Sequence, residues 1–418
     1  MKRAIVAMGG GPTRVINRSL FGVVDDATRH GIQVLGAQHG ISGLLKEKFI
    51  DVTPTTAPVS TNKDLPGAAL LSTRMKPTAD DCAKAFDIFK KHGIHYFFYI
   101  GGNDTAEATS IINREAKKAK YQLRCFHVPK TIDNDLVEND HCPGYGSAAR
   151  YVAQAVLGDD MDVRSLPGIK IDIIMGRKAG WLTAAAGLCR KADEDAPHLL
   201  YFPERAKSLD DIIKDILKVY AKHGRAIVAI SEGLNGPDGK DFLSSPFVRG
   251  ELSKAPYTPI MDMINGLAKV EEASGGAKRD TFGHVQLSGT GTLADVLASA
   301  VKIATFKDSG KAARCRADTF GYLQRCYAGD VSPVDAKEAE AVARKAVQLA
   351  VKKDVDGSVA IKANREGGKY RVTYKLVALE AVGGKERCLP AEFLNAEGNG
   401  VTQAFLDYAL PLAGKLPR

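Results

Sequence analysis

Short β-rich runs separated by helical stretches recur along most of this chain, and that alternation constrains its fold more than any other feature. Residues 3–8, 32–37, 96–100, 124–128, 169–175, 198–202 and 225–231 read as strands. Helical patterns fill the intervals, among them 14–30, 105–120, 179–192 and 208–223, the last opened by Ser208 and Asp211 in a capping arrangement. A strand that rejoins its sheet through a helix runs parallel to its neighbour, so helices cover both faces. The expected fold class is therefore α/β, and 418 residues suit two doubly wound, three-layer lobes better than one. We expect a lobe over residues 1–142 and a second over 143–331 with a helical insertion. A C-terminal segment, 332–418, packs back on the lobes. Within it, Ala339, Val342, Ala343, Ala346 and Ala350 mark one face of a helix over 333–352, and Glu366-Gly367-Gly368 turns into a strand over 369–379.

Hydrophobic residues make up 44% and charged residues 26%, which excludes a mainly disordered or fibrous chain. The longest apolar runs fall far short of the roughly 20 residues that span a bilayer. The N-terminus enters a strand-like run without a signal-peptide pattern, so we expect a soluble, cytoplasmic protein with no membrane partner. A formal charge of +9 favours anionic ligands. The basic residues are scattered among acids rather than clustered with aromatics, so small phosphorylated molecules suit the charge and nucleic acid does not. Seven cysteines without a Cys-x-x-Cys pair argue against a disulfide framework and a zinc site.

Three loops stand at the carboxyl ends of predicted strands, where ligands bind in open parallel sheets. Gly9-Gly10-Gly11-Pro12-Thr13 lets backbone N–H groups approach an anion at a helix N-terminus. It is not the dinucleotide fingerprint: Arg14 occupies the place of the last small residue, and no acidic residue closes the second strand. Gly101-Gly102-Asn103-Asp104-Thr105 offers the same close approach plus oxygens suited to Mg²⁺, the alternative being a helix capped by Asp104 or Thr105. Pro129-Lys130-Thr131-Ile132-Asp133-Asn134-Asp135 brings two carboxylates and a lysine to one strand end. A hydroxyl nucleophile needs a carboxylate to take its proton, and a polyphosphate donor needs a metal ion and a fixed cation. A solvated turn rich in Asp and Asn is the alternative.

With these loops in this order, followed by Met175-Gly176-Arg177 and Ser231-Glu232-Gly233, the chain resembles the phosphofructokinases, and specifically their pyrophosphate-dependent branch. The resemblance runs from the N-terminus to about residue 352. It implies two Rossmann-like lobes with the active site in the cleft between them, and phosphoryl transfer to the 1-hydroxyl of fructose 6-phosphate. By position, Asp133 would be the base, Thr131 and Ile132 would contact the substrate, and Asp135 and Asn103 would hold Mg²⁺. Met175, Gly176 and Arg177 would line the sugar phosphate, Arg177 also stabilising transition-state charge, and Glu232 would accept from sugar hydroxyls. Gly10, Gly11 and Arg74 would contact pyrophosphate.

Two positions bear on the donor. ATP-dependent relatives carry glycine at the positions of Asp104 and Lys130. An aspartate at 104 puts bulk and negative charge in the path of the ATP α-phosphate, and Lys130 neutralises pyrophosphate or the departing phosphate. Pyrophosphate is the expected donor, and an ATP-dependent phosphofructokinase is the alternative. The segment 280–287 is echoed by 318–325, and the family's sugar-phosphate clamp needs an arginine three residues after a His or Tyr. Tyr322 with Arg325 fits, whereas His284 is read as structural. Arg316 falls where a neighbouring subunit's arginine is expected, and the resemblance favours a homodimer. The sequence departs from the family's usual pattern at Asn103, at the first glycine loop, and near Gly168, where Lys170 is the nearest cation.

Overall fold

The computed structural model describes residues 2–275 and 291–417. His284 and the first of the two echoed segments lie outside them. The strands are β1 (Arg3–Met8), β2 (Gln33–Ala37), β3 (Phe49–Val52), β4 (Ile94–Gly101), β5 (Arg124–Pro129), β6 (Ile169–Ile174), β7 (Leu199–Tyr201), β8 (Ala226–Ser231), β9 (Cys315–Thr319), β10 (Gly357–Asn364) and β11 (Arg371–Val377). They form a seven-stranded sheet, ordered β11-β10-β5-β4-β1-β2-β3, and a four-stranded sheet, ordered β7-β8-β6-β9. Among the described residues no helix is long and apolar enough to cross a membrane.

Contacts divide the chain into two compact units. The first takes the residues up to Arg150 together with Arg325–Arg387 and Pro411–Gly414; the second takes Tyr151–Gln324, Cys388–Leu410 and the residues from Lys415. The C-terminal segment is thus shared between the units rather than forming a body of its own. The reason is visible in the first sheet: β10 pairs parallel to β5 through Gly357 and Ser358, and β11 pairs antiparallel to β10 across the predicted turn.

In the first unit, period-two alternation feeds two cores at once. Ala4, Val6 and Met8 of β1 and Tyr96, Phe98 and Ile100 of β4 face helices Ile16–Arg29 and Pro333–Lys352. Ile5, Ala7, Phe97 and Tyr99 face helices Ala79–His92 and Asn103–Lys118 on the other side. Both faces are dry, which is why these strands read as continuous apolar runs. Strand order reverses at β1, so the C-terminal ends of β1 and β4 flank a crevice where the glycine loops emerge.

The second unit repeats the logic on a smaller all-parallel sheet. Ile169, Ile171 and Ile173 of β6 and Ala226, Val228 and Ile230 of β8 pack on helices Leu209–His223 and Thr292–Ser309. Ser208 caps the first of these by accepting from Asp211 N–H at 3.0 Å, as its sequence suggests. The helix expected over 179–192 is shorter. It runs Trp181–Ala185 and tightens into a 3₁₀ turn over Ala186–Cys189, where Gly187 has low helix propensity.

Candidate active site

The first unit gathers its candidate residues at one place. A pocket of about 190 Å³ is lined by Gly10, Gly11, Arg74, Asn103, Asp104, Lys130, Thr131, Ile132, Asp133, Asp135 and Arg325, all picked out from sequence. Glu386 lines it as well, and sequence reasoning missed it.

The walls follow from the strand ends. Gly9 N–H donates to Ile100 C=O at 2.9 Å and Gly10 N–H to Thr73 C=O at 3.0 Å, so the segment around Arg74 runs beside the first glycine loop. Lys130 N–H donates to Gly101 C=O at 2.9 Å, which ties the third loop to the second. Behind them His127, fully buried on β5, donates from Nε2 to the same Gly101 carbonyl at 2.8 Å. Its Nδ1 receives the Ser358 hydroxyl of β10 at 2.8 Å. Burial pushes this histidine down to about 4, so it is neutral and serves as a rigid spacer.

Lys130 is 2% exposed and folds beneath the first glycine loop. Its Nζ donates to the carbonyls of Gly9 at 3.0 Å and Gly11 at 2.5 Å. Burial first, and then the charge of Arg325, lowers the ammonium to about 8. Arg325 lies close to the same loop, since a Cβ placed on Gly11 would come 3.3 Å from its guanidinium carbon. Arg74, Lys130 and Arg325 therefore crowd positive charge into one concave site, and an anion relieves that crowding.

The carboxylates stand opposite in type. Asp133 N–H donates to Thr131 Oγ1 at 3.1 Å, which closes a tight turn after β5. Burial, and next the charge of Asp133, raises Asp135 to about 7, and its Oδ1 is buried without a hydrogen-bond partner. A buried carboxylate oxygen left in this way suits a cation. Asp104 sits exposed in the first turn of helix Asn103–Lys118, whose N-cap is Gly102 without a side-chain cap. Neither Asp104 nor Thr105 caps this helix, and the aspartate borders the pocket. Asn103 is occupied elsewhere: its amide bonds the backbone of Gly384 and Lys385, each at 2.7 Å. No cluster of three or more His, Cys, Asp or Glu able to hold a metal by itself occurs among the described residues.

The second unit brings Met175, Gly176, Arg177 and Glu232 to the adjacent C-terminal ends of β6 and β8. Ser231 Oγ donates to Gly176 C=O at 2.6 Å and accepts from Gly233 N–H at 3.2 Å, which locks the two loops together. Arg177 reaches outward, its side chain 67% exposed, with Nε 3.9 Å from Oε1 of the largely buried Glu232. Arg316 and Tyr322 are exposed in this unit, whereas Arg325 belongs to the first unit. Lys170 is engaged within the second unit by Asp318, by Asp159 at 3.3 Å and by Asp172 at 3.8 Å.

The phosphofructokinase family model matches residues 3–350. The chain is 46% identical over 416 residues to the pyrophosphate–fructose 6-phosphate 1-phosphotransferase of Rhodospirillum rubrum, covering 99% of this chain and 94% of that protein. It is 33% identical to the protein of the same name from Xanthomonas campestris, with 98% and 90% covered. Among solved structures, the pyrophosphate-dependent phosphofructokinase of Marinobacter aquaeolei superposes with a TM-score of 0.81 at 28% identity, covering 100% of this chain and 93% of that one.

Proposed function

The chain belongs to the phosphofructokinase family, and from that premise we propose that it transfers a phosphoryl group from pyrophosphate to the 1-hydroxyl of fructose 6-phosphate. The products are fructose 1,6-bisphosphate and phosphate, and the reaction runs in both directions. The observation that carries this reading is the pairing of Asp104 and Lys130 on one pocket, the lysine buried under the glycine loop. Asp104 places a negative charge at the rim, against a longer nucleotide donor, while the cations beneath the loop suit a small, highly charged one. Relatives named pyrophosphate–fructose 6-phosphate 1-phosphotransferase, matched over nearly the whole chain, support the same donor.

In this reading Gly10 and Gly11 offer N–H groups to pyrophosphate, and Lys130 and Arg74 neutralise it; Arg325, assigned with Tyr322 to the sugar phosphate, lines the same pocket and adds to its positive charge. Asp133 takes the proton from the sugar hydroxyl as its oxygen attacks the transferring phosphorus. The bond to the departing phosphate breaks, and Lys130 balances the charge left there. Thr131 and Ile132 border the reacting groups. Met175, Gly176, Arg177 and Glu232 take the sugar phosphate and hydroxyls, Arg177 through the bidentate fork suited to phosphate, and Tyr322 and Arg316 are assigned to the same substrate. Asp135, with its orphaned buried oxygen, fits a role in holding Mg²⁺. That ion, when bound, would draw charge from the pyrophosphate oxygens. We place the enzyme in the cytoplasm, in glycolysis, as a homodimer.

The test is an assay of purified protein with fructose 6-phosphate and Mg²⁺, supplied with either donor. Turnover with pyrophosphate is expected; turnover with ATP and none with pyrophosphate overturns the reading in favour of an ATP-dependent enzyme.

A further inference from the structure

Residues 383–387 come from a stretch of the C-terminal segment that carries no recognised motif, yet they are tied to both acidic loops of the donor pocket. At one end Asn103 Nδ2 donates to Lys385 C=O, and its Oδ1 accepts from Gly384 N–H. This reciprocal pair uses the donor and the acceptor of one carboxamide, which a carboxylate at that position could not reproduce. At the other end Arg387 N–H donates to Asp135 C=O at 2.7 Å. The Arg387 guanidinium donates to Asn134 C=O at 2.9 Å and to Asp140 C=O at 2.6 Å. Leu136 and Glu386 pair as an antiparallel bridge between these ties.

The local sequence is built for this path. A Cβ on Gly383 would come 2.9 Å from the Glu107 backbone, and Gly384 adopts φ +73°. Glycine alone meets both demands without strain. The strap so formed carries Glu386 into the lining of the pocket, on the same side as Asp135 and its unpartnered buried oxygen.

We propose that Glu386 is a further donor-site residue, a carboxylate directed at the cation that accompanies pyrophosphate, and that Asn103 is the positioning residue that holds it there. This deepens the pyrophosphate reading and rests on it. It assigns Asn103 a clasping role in place of metal ligation, and it gives part of the C-terminal segment a place in the site.

The test titrates the full-length protein with Mn²⁺ in the presence of methylenediphosphonate, followed by calorimetry, and separately with fructose 6-phosphate. Glu386→Gln is expected to weaken Mn²⁺ binding about tenfold, with fructose 6-phosphate affinity unchanged. Asn103→Ala should do the same, and the double variant should lose little more than either single one, because both changes act through one strap. Glu386 is exposed, so its substitution should leave the melting temperature unchanged. Wild-type Mn²⁺ affinity in Glu386→Gln overturns the proposal. So does tighter Mn²⁺ binding by Asn103→Asp, which would mark that position as a direct ligand. Failure of the wild-type protein to bind Mn²⁺ with the diphosphonate, while binding it with ATP, defeats the donor reading itself and is distinguishable from both.

Discussion

Burial and the neighbouring Arg325 lower the Lys130 ammonium to about 8. Its folded pKa lies below the ordinary lysine value, so in the free protein the cation is present below about 8 and lost above it. The KM for pyrophosphate should therefore rise as pH climbs past 8, on top of any change in the donor's own charge. In Lys130→Met the KM should be high throughout and that added dependence absent, so parallel wild-type and variant profiles would remove Lys130 from donor binding. Asp133→Ser should lower kcat by about 10²–10⁴-fold while fructose 6-phosphate still binds, as expected for a lost base. Isothermal binding beside steady-state kinetics separates the two effects. These residues were legible because contiguous motifs carry them. Glu386 was not, since the clasp that brings its strand of chain to Asn103 spans more than 280 residues of sequence. Nothing local in a run of Gly-Gly-Lys-Glu-Arg distinguishes a pocket wall from a solvated turn.

Burial made the central strands legible, and period-two alternation after a turn did the same for the exposed edge strand β11. The central strands β1, β4, β5, β6 and β8 were found because both faces are covered and the runs are apolar throughout. The edge strands β3 and β9 were not, being short and largely exposed, with burial on few positions. β10 also escaped, although its first five residues are buried; its polar end, Lys362 to Asn364, masks the pattern. Helix pairing was equally invisible. Helices Ile16–Arg29 and Pro333–Lys352 approach so closely that a Cβ on Gly22 would stand 2.5 Å from the Glu340 carbonyl oxygen. Backbone, not a flexible side chain, blocks that space, so relief requires the two helices to separate. Gly22→Ala should destabilise the protein by about 1–3 kcal/mol in urea unfolding, despite the better helix propensity of alanine. A variant as stable as the wild type would show that the helices can part without loss.

At the scale of the whole chain, the first unit is discontinuous: it leaves after Arg150, returns at Arg325, and closes again with Pro411–Gly414. Sequence reading divides the chain at 142 and 331 and has residues 332–418 pack back on the lobes. Helix Pro333–Lys352 instead supplies Val342, Ala343, Ala346 and Val347 to the core beneath β1 and β4, and β10 completes the sheet beside β5. Asp335 on that helix accepts from Gly144 N–H at 2.8 Å and from Ser147 N–H at 2.9 Å, holding the chain just before the crossing point. A fragment of residues 1–150 therefore uncovers the part of one sheet face that helix Pro333–Lys352 shields and leaves β5 as a bare edge, which is a poor basis for cooperative folding. Such a fragment should show no sigmoidal urea transition, whereas the same fragment joined to residues 325–387 by a flexible linker should recover one. The joined form restores Arg325, Glu386 and Arg387 as well as the missing core. A cooperative transition in the 1–150 fragment alone would mean that the N-terminal segment is self-sufficient and that the returning chain adds only the site.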